Sequence, residues 1–129
     1  MKSLQVKIKN FLKDRNWDHL RPSDLAKSIS IESAELLELF QWSNPSLEDT
    51  KKDSTKIQEI KSELADVLIF CLEMATLLNI DAFEIIEKKL EHASKKYPSD
   101  RMKNRNGAEP GTDEEYLKRK KLYRRKGLS

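Results

Sequence analysis

The sequence predicts an all-α fold: a four-helix bundle-like protomer that dimerises and carries a basic C-terminal extension. Three observations carry this expectation. Only 3 Gly and 4 Pro punctuate 129 residues, too few for the closely spaced turns of an all-β fold. Apolar residues recur three and four positions apart over long runs, the period of a helix with one buried face. Ser, Thr or Asp with Glu or Gln three residues later stands before several of these runs, as at capped helix starts.

Each element follows from its own residues. Leu4, Ile8, Phe11 and Leu12 form the stripe of a first helix ending near Asn16. Pro22 and Ser23 open a second, with Leu25, Ile29, Leu36 and Phe40 on one side. Residues 43–54 (SNPSLEDTKKDS) are polar and predict a connection. Thr55 and Gln58 form a capping box for a third helix reaching about Leu78, with Asn79 as its stop. From Val67 to Leu78 this helix is apolar on nearly every face, which predicts the central, most buried element, with Cys71 a buried small hydrophobe. Asp81 and Glu84 cap a fourth helix whose Phe83, Ile86, Leu90, Ala93 and Tyr97 make a seam for a helical partner, in the same chain or in a second copy. Pro98 ends it. Thr112 and Glu115 precede a short, polar fifth helix around KRKKLYRRK, expected to be weakly ordered.

Charge divides the chain at about the same place. Residues 1–98 carry a balance of −2 and residues 99–129 a balance of +5. The expected organisation is a domain over 1–98 and a basic tail over 99–129, joined near Gly107, Pro110 and Gly111. One cysteine excludes an internal disulfide. Lysines interrupt the apolar positions of the N-terminus, and no apolar run approaches the roughly 18 residues of a membrane span. A cytoplasmic protein without membrane contact is expected.

The chemistry sits in carboxylates on apolar stripes. Glu32 falls between Ile29 and Leu36 on the second helix, and Glu63 and Asp66 lie among Ile60, Val67 and Phe70 on the third. Clustered carboxylates in a desolvated place repel one another, and some must protonate unless a cation joins them. Oxygen donors without clustered His or Cys suit Mg²⁺, with Mn²⁺ as a substitute, and disfavour zinc. The alternative is a bundle rim where these acids pair with Lys61 or Lys27. A di-iron centre is excluded, because Asn16 and Lys89, not Glu, stand three residues before His19 and His92.

The segments SIESAELLELFQW (30–42), ELADVLIF (63–70) and KKYP (95–98) together resemble the MazG-like nucleoside triphosphate pyrophosphohydrolases. Within that all-α superfamily they are most similar to the short single-domain members that include dCTP pyrophosphatases. The family's Glu-x-x-Glu, spacer, Glu-x-x-Asp signature fits at Glu32, Glu35, Glu63 and Asp66. The resemblance implies Mg²⁺-dependent hydrolysis of (d)NTPs to (d)NMP and pyrophosphate, for nucleotide-pool house-cleaning, by a homodimer or homotetramer. It implies Glu32, Glu35, Glu63 and Asp66 as metal ligands and Glu35 as general base, with Glu38 outside the ligand set. It further implies Trp17, His19, Trp42, Lys89, Lys96 and Tyr97 as substrate-binding residues. Two positions depart from the pattern: Ala93 stands where relatives carry Asn, and Phe70 where several carry Tyr. A competing class is a nucleic-acid-binding helical module using the basic tail. Basic tails are also often just soluble termini, and nucleic acid is not expected as a partner.

Overall fold

A short helix that the polar linker hides stands between the second and third expected helices. The computed structural model describes residues 2–102 and 114–128, and among these every regular element is helical. In order they are α1 (Lys2–Asp14), α2 (Pro22–Glu38), α3 (Leu47–Lys52), α4 (Ser54–Leu77), α5 (Ala82–Lys96), α6 (Ser99–Met102) and α7 (Glu114–Arg125). The expected joint at Gly107, Pro110 and Gly111, and the cap at Thr112, lie outside the described residues.

The chain divides into two compact units, Met1–Phe83 and Glu84–Ser129. In the first unit, α4 is the hub, packed most extensively against α2, then α1, then α3. Ile8, Leu12, Leu72, Ala75 and Ala82 are buried together, and Leu25 is buried on α2. The Gln5 side chain ties α1 to the turn after α4, donating to the Ile80 carbonyl at 2.9 Å and accepting from the Ala82 amide at 3.2 Å.

Two asparagines end helices as glycine commonly does. Asn16 and Asn79 both adopt φ 55°, a left-handed conformation that Asn tolerates better than most residues. Past α1 the Trp17 amide bonds to the Leu12 carbonyl (2.9 Å), and past α4 the Ile80 amide bonds to the Ala75 carbonyl (2.8 Å). Both are Schellman closures, which satisfy carbonyls the helix end would otherwise leave unpaired.

The start of α4 differs from the capping box expected at Thr55. Asp53 is the cap, its side chain accepting from the Lys56 amide at 2.9 Å. Ser46 caps α3 in the same way through the Asp49 amide at 3.1 Å, which turns part of the polar linker into a helical turn. Lys56 in turn donates from Nζ to the Leu39 carbonyl at 2.8 Å, so the start of α4 meets the end of α2. The two helices therefore run antiparallel.

The burial expected along Val67–Leu78 holds on one side only. Leu72 and Ala75 are buried, whereas Leu64, Leu68 and Ile69 are exposed, and Cys71 is exposed with them rather than buried. The reason is a missing cover: no described element of the first unit lies over that face. Phe83, Ile86 and Leu90 of the α5 seam are likewise exposed.

The second unit holds α5 from Glu84 onward, α6 and α7. The tail helix α7 is not a loose terminus in it. Tyr116 stacks on Tyr97 with ring centroids 4.9 Å apart, and Tyr123 meets His92 edge-on at 5.6 Å. Gly127 at φ 67° closes the end of α7, with the Leu128 amide bonded to the Tyr123 carbonyl at 2.8 Å.

Candidate active site

Antiparallel packing of α2 on α4 decides what the acids can do. Acids three apart on a helix share a face, and the Lys56–Leu39 bond sets a register that turns the two acidic faces toward each other. Glu32, Glu63 and Asp66 each offer a carboxylate oxygen, and these oxygens all lie within 4.8 Å of one another. All three residues are half-buried. Glu35 is more exposed, and its charge bears on both Glu32 and Glu63.

The electrostatics follow from that crowding. Glu32 is held above the ordinary carboxylate range by burial first, then by the charges of Glu35, Asp66 and Glu63. Glu63 is raised by burial first, then by Glu35 and Asp66, and last by Glu38. Glu38 thus bears on Glu63 without joining the cluster.

The rim of ion pairs, the alternative left open by spacing, is not what forms. Lys27 pairs with Asp24 at 4.0 Å on its own helix, and no ion pair among the described residues reaches any of the four acids. Like charges gathered without a counter-charge are the environment a divalent cation relieves. The all-oxygen donor set fits a hard ion such as Mg²⁺ or Mn²⁺, with Glu32, Glu63 and Asp66 as ligands and Glu35 beside them.

With the geometry in hand, comparison with known proteins gives a consistent picture. The sequence profile of the MazG-like family matches residues 27–108. The chain belongs to the MazG-like family. Mouse dCTP pyrophosphatase 1 is 29% identical over 93 residues, which are 68% of this chain and 53% of that protein. The rat dCTP pyrophosphatase 1 matches to the same extent. The chain therefore spans about half the length of the curated relatives it matches. A crystal structure of a pyrophosphatase from Archaeoglobus fulgidus superposes with a TM-score of 0.66 at 38% identity, covering 76% of this chain and 92% of that one. The MazG-like match takes in all four acids and Trp42, Lys89, Lys96 and Tyr97, and ends before α7.

The other residues expected at the site are placed less uniformly. Trp17 is half out of the protein (48% exposed) and set by the Schellman turn after α1, its ring edge-on to Phe11 at 6.0 Å. Trp42 is 90% exposed, so neither indole is core packing. His19 is exposed, 3.8 Å from Asp18. Lys96 and Tyr97 lie at the end of α5, with the Lys96 ammonium 5.4 Å from the Tyr97 ring centroid. Lys89 stands on α5, exposed to solvent. The two aromatic residues of α7, Tyr116 and Tyr123, were not among the expected site residues. Their i, i+7 spacing in an otherwise charged helix was the signal, since it puts both rings on one side.

Proposed function

We propose that this MazG-like chain is a Mg²⁺-dependent nucleoside triphosphate pyrophosphohydrolase, releasing a nucleoside monophosphate and pyrophosphate. The observation that carries the proposal is the convergence of Glu32, Glu63 and Asp66 within 4.8 Å, with no cationic side chain paired to them among the described residues. A bound Mg²⁺ supplies charge neutralisation at the phosphate oxygens and Lewis acidity at the scissile bridge. The protein's own groups do the rest. Glu32, Glu63 and Asp66 hold the ion. Glu35 accepts the proton of the attacking water, whose oxygen becomes bonded to phosphorus at the α–β bridge as the bridging P–O bond breaks and pyrophosphate leaves.

Trp17 and Trp42 offer exposed indole faces on which a base can stack, a contact worth about 1–3 kcal/mol in nucleic-acid binders. Lys89 and Lys96 carry the positive charge a triphosphate needs, and Tyr97 adds a further ring, with His19 near the base. The names of the mammalian relatives put dCTP first among the nucleotides to test.

A second copy of the chain completes the protein in this reading. Leu4, Ile8, Phe11, Leu68, Ile69 and Leu72 line an open groove of about 470 Å³ between α1 and α4, almost wholly apolar. Exposed apolar surface of this kind marks an interaction face. The test of function is turnover of eight common NTPs and dNTPs with Mg²⁺ and with EDTA. Metal-dependent appearance of monophosphate with pyrophosphate supports the proposal. Release of orthophosphate alone, or equal release in EDTA, overturns it.

A further inference from the structure

Some lysines of this chain are neutralised by a neighbouring acid. Lys51 pairs with Glu48 and Lys88 with Glu84, each within one helical turn. Lys96 is different. Its ammonium lies 5.4 Å from the Tyr97 ring centroid and 5.3 Å from that of Tyr123, and it pairs with no carboxylate among the described residues. Aromatic faces hold a cation through their quadrupole and bring no net charge of their own. The half-buried Lys96 side chain is therefore restrained while its full charge stays available to an anion.

The restraint comes from a helix beyond the family match. One ring of the pair, Tyr97, belongs to the matched region, whereas Tyr123 belongs to α7, outside residues 27–108. Several contacts fix α7 against α5. Tyr116 stacks on Tyr97 at an interplanar angle of 16°. Tyr123 packs edge-on to His92, and His92 Nε2 lies 3.2 Å from the Leu128 carbonyl that the α7 end closure positions. Glu115 bridges Arg119 at 2.8 Å and Arg101 of α6 at 3.9 Å.

We propose that α7 is an aromatic clamp that presents the Lys96 ammonium to a phosphate group of the nucleotide, with Tyr123 and Tyr116 as positioning residues. The proposal rests on the reading of Lys96 and Tyr97 as nucleotide contacts. Pre-organisation of this kind acts on affinity: the side chain is ordered before the ligand arrives, so binding loses less entropy. The chemical step, carried by the acids, is untouched.

Steady-state kinetics with the best of eight common triphosphates tests the clamp. The chains compared are the unsubstituted one, Tyr123→Ala, Tyr123→Phe, Lys96→Ala and the Lys96→Ala/Tyr123→Ala double variant. Tyr123→Ala raises KM about three- to tenfold, the factor corresponding to one cation–π contact, with kcat within about twofold. Tyr123→Phe, which keeps the ring face, recovers most of the lost affinity. In the Lys96→Ala background the Tyr123→Ala change adds nothing, because the clamp acts through that ammonium. Circular dichroism checks the fold, and Tyr123→Leu, which keeps apolar bulk without a ring face, replaces Tyr123→Ala if that variant loses helix. An unchanged or lowered KM on removing the ring, or a full-size effect without Lys96, overturns the clamp while leaving the enzymatic reading intact. Absence of turnover by the unsubstituted chain on all eight nucleotides overturns both.

Discussion

Replacing Glu73 with Met should stabilise the protein, and by an amount that depends on pH. Glu73 sits on α4 with 4% of its surface exposed and no hydrogen-bond or ion-pair partner among the described residues. It lies seven residues past Asp66, two turns along the same side of the helix that carries the acid cluster. Burial raises its carboxyl above the ordinary range, so the folded chain holds a proton that the unfolded chain has released. Stability then falls as pH rises from the ordinary carboxylate range through the raised value, and the cost is fully present above it. An unsatisfied buried polar group costs about 1–3 kcal/mol. In so small a bundle, with water never far from the side chain, the lower half of that range applies. Met has similar volume, no polar atom and good helix propensity, so Glu73→Met should gain about 1–2 kcal/mol at pH 7.5, with Glu73→Gln between it and the unsubstituted chain. Urea denaturation at pH 5 and pH 7.5 measures this, with EDTA present and protein concentration fixed, since association would make stability depend on it. The gain should shrink at pH 5. A loss of stability in Glu73→Met at pH 7.5, or a gain that is the same at both pH values, would refute the reasoning.

Other outcomes follow from the acid cluster and the exposed faces. Glu63→Gln and Asp66→Asn should abolish turnover yet leave the metal-free melting temperature equal or higher, since each removes a repelling charge; calorimetry in EDTA checks the second half. Added Mg²⁺ should raise the melting temperature of the unsubstituted chain, by about 1.4 kcal/mol of stabilisation at ten times its Kd, and should not shift that of Glu63→Gln. Leu68→Glu on the exposed face of α4 should halve the mass seen by sedimentation, whereas an unchanged mass would show that this face is not the contact between copies. Trp42 fluorescence should be quenched or shifted on adding nucleotide with Mg²⁺, because its indole is free to meet a base.

Much of the candidate site was legible because its chemistry repeats at helical spacing. Glu32 with Glu35 and Glu63 with Asp66 each share a helical face, and acids on apolar stripes are costly enough to demand a reason. Asn79 was legible as a stop because few residues tolerate the left-handed conformation. Other features depended on competition that local sequence does not resolve. Asp53 and Thr55 can both cap α4, and the choice between them depends on where Lys56 reaches α2. Cys71 lies in an apolar run, but such a run says only that something covers it, not that this chain does. The tail was hardest to read. Its lysines and arginines dominate the composition, while its order comes from Tyr116, Tyr123 and Leu128, three residues whose partners, Tyr97 and His92, are nineteen or more positions away.

The central claim is that the acids joining α2 to α4 bind a divalent cation and use it to split a nucleoside triphosphate. Pyrophosphate release from dCTP and the other common triphosphates, measured in Mg²⁺ and again in EDTA, tests it most directly. The account predicts pyrophosphate and monophosphate in equal amounts with Mg²⁺, none in EDTA, and none from Glu63→Gln under either condition. Pyrophosphate release that survives EDTA, or that Glu63→Gln retains, would contradict it.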